Sequence, residues 1–197
     1  MSEILSDAGL DLIFRQARTH RAWLDKPVGE VLLRAIYDLM RLGPTTANIN
    51  PARMVFVVSR AAKQRLAPAL SKGNLDKTMA APATAIVAHD LRFYEHLPRL
   101  FPHDLTAKSW FDSDPGHAAT TALRNGSLQG AYFIIAARAL GLDCGPMSGF
   151  DNALVDREFF PDGRIKSNFL CNIGHGDASK LHERQPRLDF DEACQVL

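Results

Sequence analysis

Apolar and polar residues recur along the chain with two different periods. The run "GEVLLRAIYDLMRLG" places apolar pairs four residues apart from Val31 to Met40, which predicts an amphipathic helix ending near Gly43. Residues 8–17 show a shorter pattern of this kind, and "AAKQRLAPAL" and "NALVDREFF" predict two more short helices. The apolar runs "RMVFVV", "ATAIVA" and "KSNFLCNIGHG" predict three strands, of which the first two read as buried on both faces.

The longest predicted helix is "HAATTALRNGSLQGAYFIIAARALG", residues 117–141, which a glycine again closes. Small residues recur every four positions along it and form one stripe: Ala118, Ala122, Gly126 and Gly130. Each glycine inside a helix costs about 1 kcal/mol relative to Ala, so close approach of another element must offset that cost. The stripe fits either the protein's own core or a second subunit, and we favour the second subunit.

The remaining segments complete the predicted fold. Residues 89–116 mix aromatics, histidines and prolines and predict an irregular segment with one short helix, and "LDCGPMSGF" reads as a glycine-rich turn. Helices and three to five short strands therefore alternate, which is typical of an α+β or α/β fold with a small mixed sheet. The length of 197 residues predicts a single domain spanning residues 1–197.

Composition narrows the function classes. Lys plus Arg total 23 and Asp plus Glu total 22, so the net charge of +1 gives no indication of a nucleic-acid or membrane partner. No apolar stretch approaches the roughly 20 residues of a membrane span, and the start "MSEILSDAGLDLIF" does not resemble a signal peptide. Three widely spaced cysteines favour reduced thiols and a cytoplasmic location.

Several common motifs are absent from the sequence. No GxGxxG opens a helix after a strand, and neither a P-loop nor a GxSxG elbow occurs. His89, His96 and His103 lie seven residues apart, but prolines interrupt the helix that would align them, so we expect no metal site. Cys144 has no identifiable histidine partner and reads as a small buried thiol rather than a nucleophile.

Polar and basic residues remain at the ends of the predicted elements. They lie in "ARTHRAW", "GPTTANINPAR", "GNLDK", "GPMSGF" and "ERQPR". Each stretch alone is compatible with a capped turn or a solvated surface. Together they suit a ligand with one phosphate and a flat heterocycle, because arginines pair bidentately with phosphate and glycine turns expose backbone N–H groups.

These stretches resemble the flavin-dependent nitroreductase family, and within it the malonic semialdehyde reductase branch of pyrimidine utilisation. The resemblance covers essentially the whole chain, and its most specific pieces are "GPTTANINPAR", "SKGNLDKTMAAPATAIVA", "WF", "ALGLDCGPMSGFD", "KSNFLCNIGHGD" and "RQPRL". It implies a nitroreductase-like α+β fold with a small mixed or antiparallel sheet flanked by helices. It also implies an interlocked homodimer that binds FMN at its interface.

The resemblance also implies which residues hold the phosphate and ribityl chain of FMN. These are the basic start, with Arg18, Thr19 and Arg21, and the C-terminal Arg187 with Arg184. The family pattern has a further arginine where this chain has Ala17, so that contact is missing or supplied elsewhere.

Other motif matches concern the flavin ring. Thr45, Thr46 and Asn48 match a Pro-Ser-x-x-Asn loop that one subunit lends to the other's flavin. The Asn-x-x-Lys pair at the pyrimidine edge is Asn74 and Lys77, in the loop before the second strand. The glycine-rich turn matches through Pro146, Met147, Ser148 and Gly149, with backbone N–H groups of the last two near N5 and O4.

By this resemblance the chain is an oxidoreductase in which NAD(P)H delivers hydride to flavin N5 and malonic semialdehyde is reduced to 3-hydroxypropanoate. No residue is an evident general acid, and no 2′-phosphate site distinguishes NADH from NADPH. Residues 89–116 are either a solvated lid with aromatic anchors or a source of cations for the substrate carboxylate, with Arg92 and Arg99 as first candidates. The alternatives are a general nitro or quinone reductase, a flavin-binding or sensing protein without turnover, and a flavin-free structural domain.

Overall fold

A four-stranded antiparallel sheet forms the centre of the fold. The computed structural model describes residues 4–197, so the first three residues of the predicted domain 1–197 lie outside the described part. The strands are β1 (Ala52–Val57), β2 (Ala83–Asp90), β3 (Asp143–Met147) and β4 (Ile165–Gly174). Their order in the sheet is β1-β2-β4-β3, and every neighbouring pair is antiparallel. The predicted α+β class with a small sheet is confirmed.

Helices pack on both faces of this sheet. Their bounds are α1 (Asp7–Leu10, continued by the π-helix Asp11–Arg15), α2 (Glu30–Met40), α3 (Arg60–Leu66), α4 (Lys72–Ala80), α5 (Leu97–Leu100), α6 (Ser109–Asp112), α7 (Pro115–Ala139), α8 (Asn152–Phe159) and α9 (Phe190–Ala193). Short 3-10 turns lie at Thr46–Asn48, Ala67–Ala69, Phe93–His96 and Ala178–Lys180. Within residues 4–197, no helix combines the length and apolar character needed to cross a membrane.

Strands β1 and β2 were both predicted to be buried on both faces, but they differ in their burial. Every residue of β2 is buried, with Ala85 facing the α2 and α7 side and Ile86 the α3 and α8 side. That prediction is therefore confirmed for β2. It is wrong for β1, which lies at an edge of the sheet and is only half-buried over most of its length.

The small-residue stripe of α7 faces the protein's own sheet. A Cβ at Gly126 would lie 3.0 Å from the Cβ of His89 on β2, and one at Gly130 would lie 2.6 Å from the ring of Phe169 on β4. The glycines are therefore required by close packing within one chain. Our preference for a second subunit at this stripe is wrong.

Two elements of the structure, β3 and α4, were not predicted from the sequence. Residues 143–147 form strand β3 rather than part of a turn, and α4 occupies residues that were predicted to be a loop. Gly145 is needed in β3 because a Cβ there would lie 2.4 Å from the carbonyl oxygen of His20. The predicted irregular segment 89–116 contains α5, α6 and a 3-10 turn instead of one short helix.

Candidate functional site

A cation-rich cavity of about 470 Å³ lies between residues 17–21, α4, β3 and the C-terminal segment 180–187. Five predicted site residues line it with their basic side chains: Arg18, Arg21, Lys77, Arg184 and Arg187. Thr19 and Pro146 also line it, and Arg138 and Lys180 add two more cations. Glu183 is the single carboxylate that lines the cavity within residues 4–197. We call this space the cation cavity.

The arginines of the cation cavity are held by backbone carbonyl groups. Arg18 donates to His182, Arg21 Nε donates to the Lys180 carbonyl at 3.4 Å, and Arg187 Nη1 donates to the Gln185 carbonyl at 2.9 Å. None of them forms an ion pair with a carboxylate among the described residues. Carbonyl groups orient these side chains without neutralising them, so the positive charge of the cavity is preserved.

Lys77 shows the electrostatic consequence of this arrangement. Its pKa is lowered, first because it is partly buried and second because the positive charge of Arg21 lies close by. Both effects disfavour the charged ammonium, and an anion in the cavity would oppose both. The crowding of cations therefore indicates a site for an anionic group.

Strand β3 positions the basic N-terminal residues. Thr19 forms a parallel bridge with Cys144, and the His20 N–H donates to the Cys144 carbonyl at 2.9 Å. Trp23 Nε1 donates to the Lys77 carbonyl at 3.2 Å and so joins this segment to α4. The missing side chain of Gly145 makes this close approach possible.

Two buried nitrogen atoms near the cation cavity have no hydrogen-bond partner within the described residues. They are Arg138 Nε, near the end of α7, and His20 Nδ1. The other ring nitrogen of His20 lies 3.3 Å from Asp143 Oδ1. Sequence reasoning missed Arg138 as a site residue, because one arginine within a 25-residue helix carries no distinguishing pattern.

The turn after β3 lies against α4. Asn74 Nδ2 and the Ser71 N–H donate to the Gly149 carbonyl at 2.7 and 3.0 Å. The N–H groups of Ser148 and Gly149 have no acceptor within residues 4–197, and both residues are exposed. Asn74 and Lys77 lie on α4 rather than in a loop, which is a correction, and their three-residue spacing places them on one face of the helix.

Met147 occupies a different environment from the rest of the predicted turn. Its side chain is buried in the core, and its Sδ accepts a hydrogen bond from Thr78 Oγ1 at 3.6 Å. The structure therefore places its side chain in the packing between β3 and α4, while the neighbouring Pro146 lines the cation cavity.

The polar loop formed by residues 45–50 lies apart from the cation cavity. None of the predicted residues Thr45, Thr46 and Asn48 lines that cavity. The loop contains left-handed backbone at three residues other than glycine: Ala47 (φ 44°), Asn48 (φ 52°) and Asn50 (φ 41°). Such strain persists only where the surroundings enforce it, and it is common at functional sites.

Helix α7 enforces this loop conformation with two buried amides that sequence reasoning missed. Asn125 Oδ1 accepts from the Thr46 N–H at 2.9 Å. Gln129 accepts from the Ala52 N–H at 2.9 Å and donates to Asn50 Oδ1 at 3.1 Å. The signal in the sequence was a pair of amide residues four positions apart on a helix face that was predicted to be packed. Buried amides need specific hydrogen-bond partners, so this pair indicated a bonded neighbouring segment.

The sequence between residues 14 and 175 matches the family model described as the Nitroreductase family. The chain belongs to the nitroreductase family. Relatives extend the match to both ends: a Stenotrophomonas maltophilia protein, provisionally named NADH dehydrogenase/NAD(P)H nitroreductase, is 61% identical over 196 residues and covers 100% of both chains. A Ralstonia nicotianae protein with the same provisional name is 56% identical over 193 residues and 98% of each chain.

Solved structures of nitroreductases share the fold. One from Bacillus subtilis has a TM-score of 0.89 at 21% identity and covers 98% of this chain and 100% of its own. One from Exiguobacterium sibiricum, solved in complex with FMN, has a TM-score of 0.82 at 17% identity and covers 100% of both chains. These similarities confirm the predicted nitroreductase-like fold.

Several histidines and cysteines lie outside the cation cavity. Residues 4–197 contain no group of three His, Cys, Asp or Glu side chains placed to hold a metal ion. His89 is buried in β2, and burial lowers its pKa. Cys144 is a buried free thiol, as predicted. The pKa of Cys171 is raised, mainly because this thiol is buried and also because Cys144 lies close by.

Proposed function

We propose that this chain is an FMN-dependent oxidoreductase that uses NAD(P)H to reduce malonic semialdehyde to 3-hydroxypropanoate. The observation that carries the proposal is the cation cavity, whose charge is not neutralised by ion pairs and which lies beside α4 and the turn after β3. The FMN-containing relative from E. sibiricum and the NAD(P)H nitroreductase names of the close relatives support the same cofactor and co-substrate.

The donor set of the cation cavity fits the phosphate of FMN. A phosphate monoester carries nearly two negative charges at neutral pH and offers three strong acceptor oxygens. Arg18, Arg21, Arg184 and Arg187 would hold it, with Thr19 beside the ribityl chain. The family pattern has an arginine where this chain has Ala17. Arg184 donates to the Ala17 carbonyl at 3.1 Å, and this proximity supports Arg184 as the cation that replaces the missing arginine.

Residues of α4 and the turn after β3 would hold the flavin ring. Bound FMN supplies the redox chemistry, since it accepts hydride from NAD(P)H and passes it to the acceptor. Lys77 would donate to the pyrimidine edge, with Asn74 fixing the turn from behind through the Gly149 carbonyl. The acceptor-free N–H groups of Ser148 and Gly149 would stabilise negative charge on the ring.

An interlocked homodimer would complete the site. The polar loop lies away from the cation cavity of its own chain, which supports a role for Thr45, Thr46 and Asn48 at the partner's cofactor. Strand β1 leaves one sheet edge without a neighbouring strand among the described residues. The C-terminal segment exposes large apolar side chains, which a second subunit would cover: Leu188, Phe190, Val196 and Leu197.

A general nitro or quinone reductase is the second candidate, and the names of the close relatives favour it. Steady-state consumption of NADH and NADPH with malonic semialdehyde, a quinone and a nitroaromatic compound separates the two. We expect the highest kcat/KM with malonic semialdehyde. A higher value with the quinone or nitroaromatic compound would select the second candidate. Flavin binding without NAD(P)H consumption with any acceptor would instead indicate a sensing protein.

A further inference from the structure

A second cavity, of about 770 Å³, lies between the end of α2, the polar loop, strand β1 and helix α5. We call it the β1 cavity. The basic side chains that line it are Arg41, Arg53, His96 and Arg99, Tyr37 adds a phenol group, and no carboxylate of residues 4–197 lines it. The remaining lining includes apolar side chains such as Met54 and Phe56. The cavity thus combines positive charge with an apolar wall.

Three of these groups already have acidic neighbours. Arg53 Nη2 lies 2.6 Å from the buried Asp90 carboxylate, and its Nη1 donates to the carbonyls of Asn50 and Ala52. Arg41 lies 3.1 Å from Asp38, and His96 Nε2 lies 3.9 Å from Asp90.

Arg99 differs from these three groups. Its side chain forms neither an ion pair nor a hydrogen bond within residues 4–197. The charge of Arg99 is therefore available to an anionic ligand in the β1 cavity.

Arg99 also lies next to the loop that the proposed function assigns to the cofactor. Asn48 Nδ2 donates to the carbonyl of Leu100 at 2.8 Å, so the polar loop is bonded to the residue that follows Arg99 on α5. Both Asn48 and Arg99 line the β1 cavity. Arg92, the other sequence-based candidate, lines a separate cavity with Asp162 and Arg164. The two candidate arginines thus face different spaces.

We propose that Arg99 is a specificity-determining residue that binds the carboxylate of a small acid substrate in the β1 cavity. This inference rests on the proposed function, because the polar loop must face the cofactor for Arg99 to lie near the substrate. A cavity of about 770 Å³ is far larger than a three-carbon acid, so recognition depends on charge rather than on shape. A charged hydrogen bond of this kind discriminates about ten- to hundredfold.

The test compares Arg99→Gln with the matched control Arg92→Gln. For each variant, kcat/KM is measured with malonic semialdehyde and with propanal, which lacks the carboxylate. The ratio of the two values falls about tenfold or more in R99Q and keeps its wild-type value in R92Q. Arg99→Lys retains the charge but not the bidentate geometry, so we expect an intermediate ratio. An unchanged ratio in R99Q, or an equal fall in R92Q, would overturn the assignment.

Two further measurements separate this inference from the proposed function. A wild-type protein that consumes NAD(P)H with a quinone but treats the acid and propanal equally would refute the role of Arg99 and leave the oxidoreductase function standing. Calorimetric titration with propanoate and propanamide tests Arg99 without turnover. We expect propanoate to bind the wild type more tightly than propanamide and to lose that advantage in R99Q. Equal binding of both compounds by the wild type would also contradict the inference.

Discussion

At the scale of single residues, Lys77 is a cation whose surroundings disfavour its own charge. Partial burial and the nearby Arg21 both lower its pKa, and an anion in the cation cavity would reverse that effect. The family resemblance identified Lys77 together with Asn74, but the sequence-based prediction placed both in a loop. The weak amphipathic pattern of "KGNLDKTMA", with a glycine and an asparagine near its start, explains why α4 was not predicted.

Replacing Lys77 with Met tests this residue directly. We expect Lys77→Met to weaken FMN binding by about 1.5–3 kcal/mol, because the variant loses a charge-assisted hydrogen bond. Lys72→Met is the matched control, since Lys72 is an exposed lysine on the same helix that does not line the cation cavity. Titration of each apo-protein with FMN gives the affinities. Equal affinities for wild type and K77M would remove Lys77 from the proposed site.

Asp90 gives a residue-scale prediction about pH. Burial acts to raise the pKa of this carboxyl group, but hydrogen bonds from Arg164 and the Arg92 N–H, together with the charge of Arg53, outweigh it and hold the pKa below its usual value. The unfolded chain therefore takes up the Asp90 proton first as the pH falls. The stabilisation by Asp90 is complete above about pH 4 and is lost as the pH drops through the lower folded-state pKa.

Asp90→Asn measures that stabilisation. Near neutral pH we expect D90N to lower the free energy of unfolding by about 3 kcal/mol, because two arginines lose a buried partner. The difference from wild type should shrink below about pH 4, where Asp90 itself becomes neutral. Urea unfolding across this pH range is the measurement, with the exposed Asp38→Asn as control. A difference that stays constant down to acidic pH would contradict the role of the charge.

At the scale of elements, α7 holds both the sheet and the polar loop. Its glycines pack on β2 and β4, and its two buried amides bond to the polar loop that holds the left-handed backbone of Ala47, Asn48 and Asn50. The helix itself was predicted from its uninterrupted length and its closing glycine, Gly141. The use of its small residues was misread, because spacing alone does not say whether close packing is within a chain or between chains.

Gln129→Met tests the support of the loop by α7. The variant keeps the side-chain volume but leaves the Ala52 N–H without its acceptor, so we expect a loss of about 1–3 kcal/mol in the free energy of unfolding. FMN occupancy of the purified protein should fall with it, because the loop loses its fixed conformation. Arg124→Gln, on the exposed face of α7, is the control. Wild-type stability and occupancy in Q129M would show that the loop holds its shape without this amide.

Other elements show why sequence reasoning reached only part of the fold. The short apolar runs of β2 and β4 predicted strands correctly, because strands at the centre of a sheet are covered on both faces and need apolar side chains on each. Strand β3 carries Gly145 and Pro146, which disfavour strands, and the need for Gly145 is evident only from the close approach of the His20 carbonyl in the fold. The basic residues of the cation cavity were weak signals individually. Their places at the ends of predicted elements grouped them, the family pattern then assigned their roles, and the fold brings five of them together.

At the scale of the whole molecule, the proposed site requires two copies of the chain. We expect light scattering after gel filtration to give a mass twice the 21.7 kDa of one chain for the FMN-loaded protein. Substitution of Gly126 does not test this association, since a side chain there would meet His89 of the same chain. A flavin-loaded monomer would contradict the proposed exchange of the polar loop.

The most direct test of the central proposal is the visible absorption spectrum of the purified protein under anaerobic titration with NADH and NADPH. The account predicts a yellow protein whose flavin band is bleached by at least one of the two and restored by an acceptor, and whose heat-released cofactor is FMN. A colourless protein that cannot be reconstituted with FMN, the release of FAD alone, or a flavin that neither nucleotide reduces would contradict it.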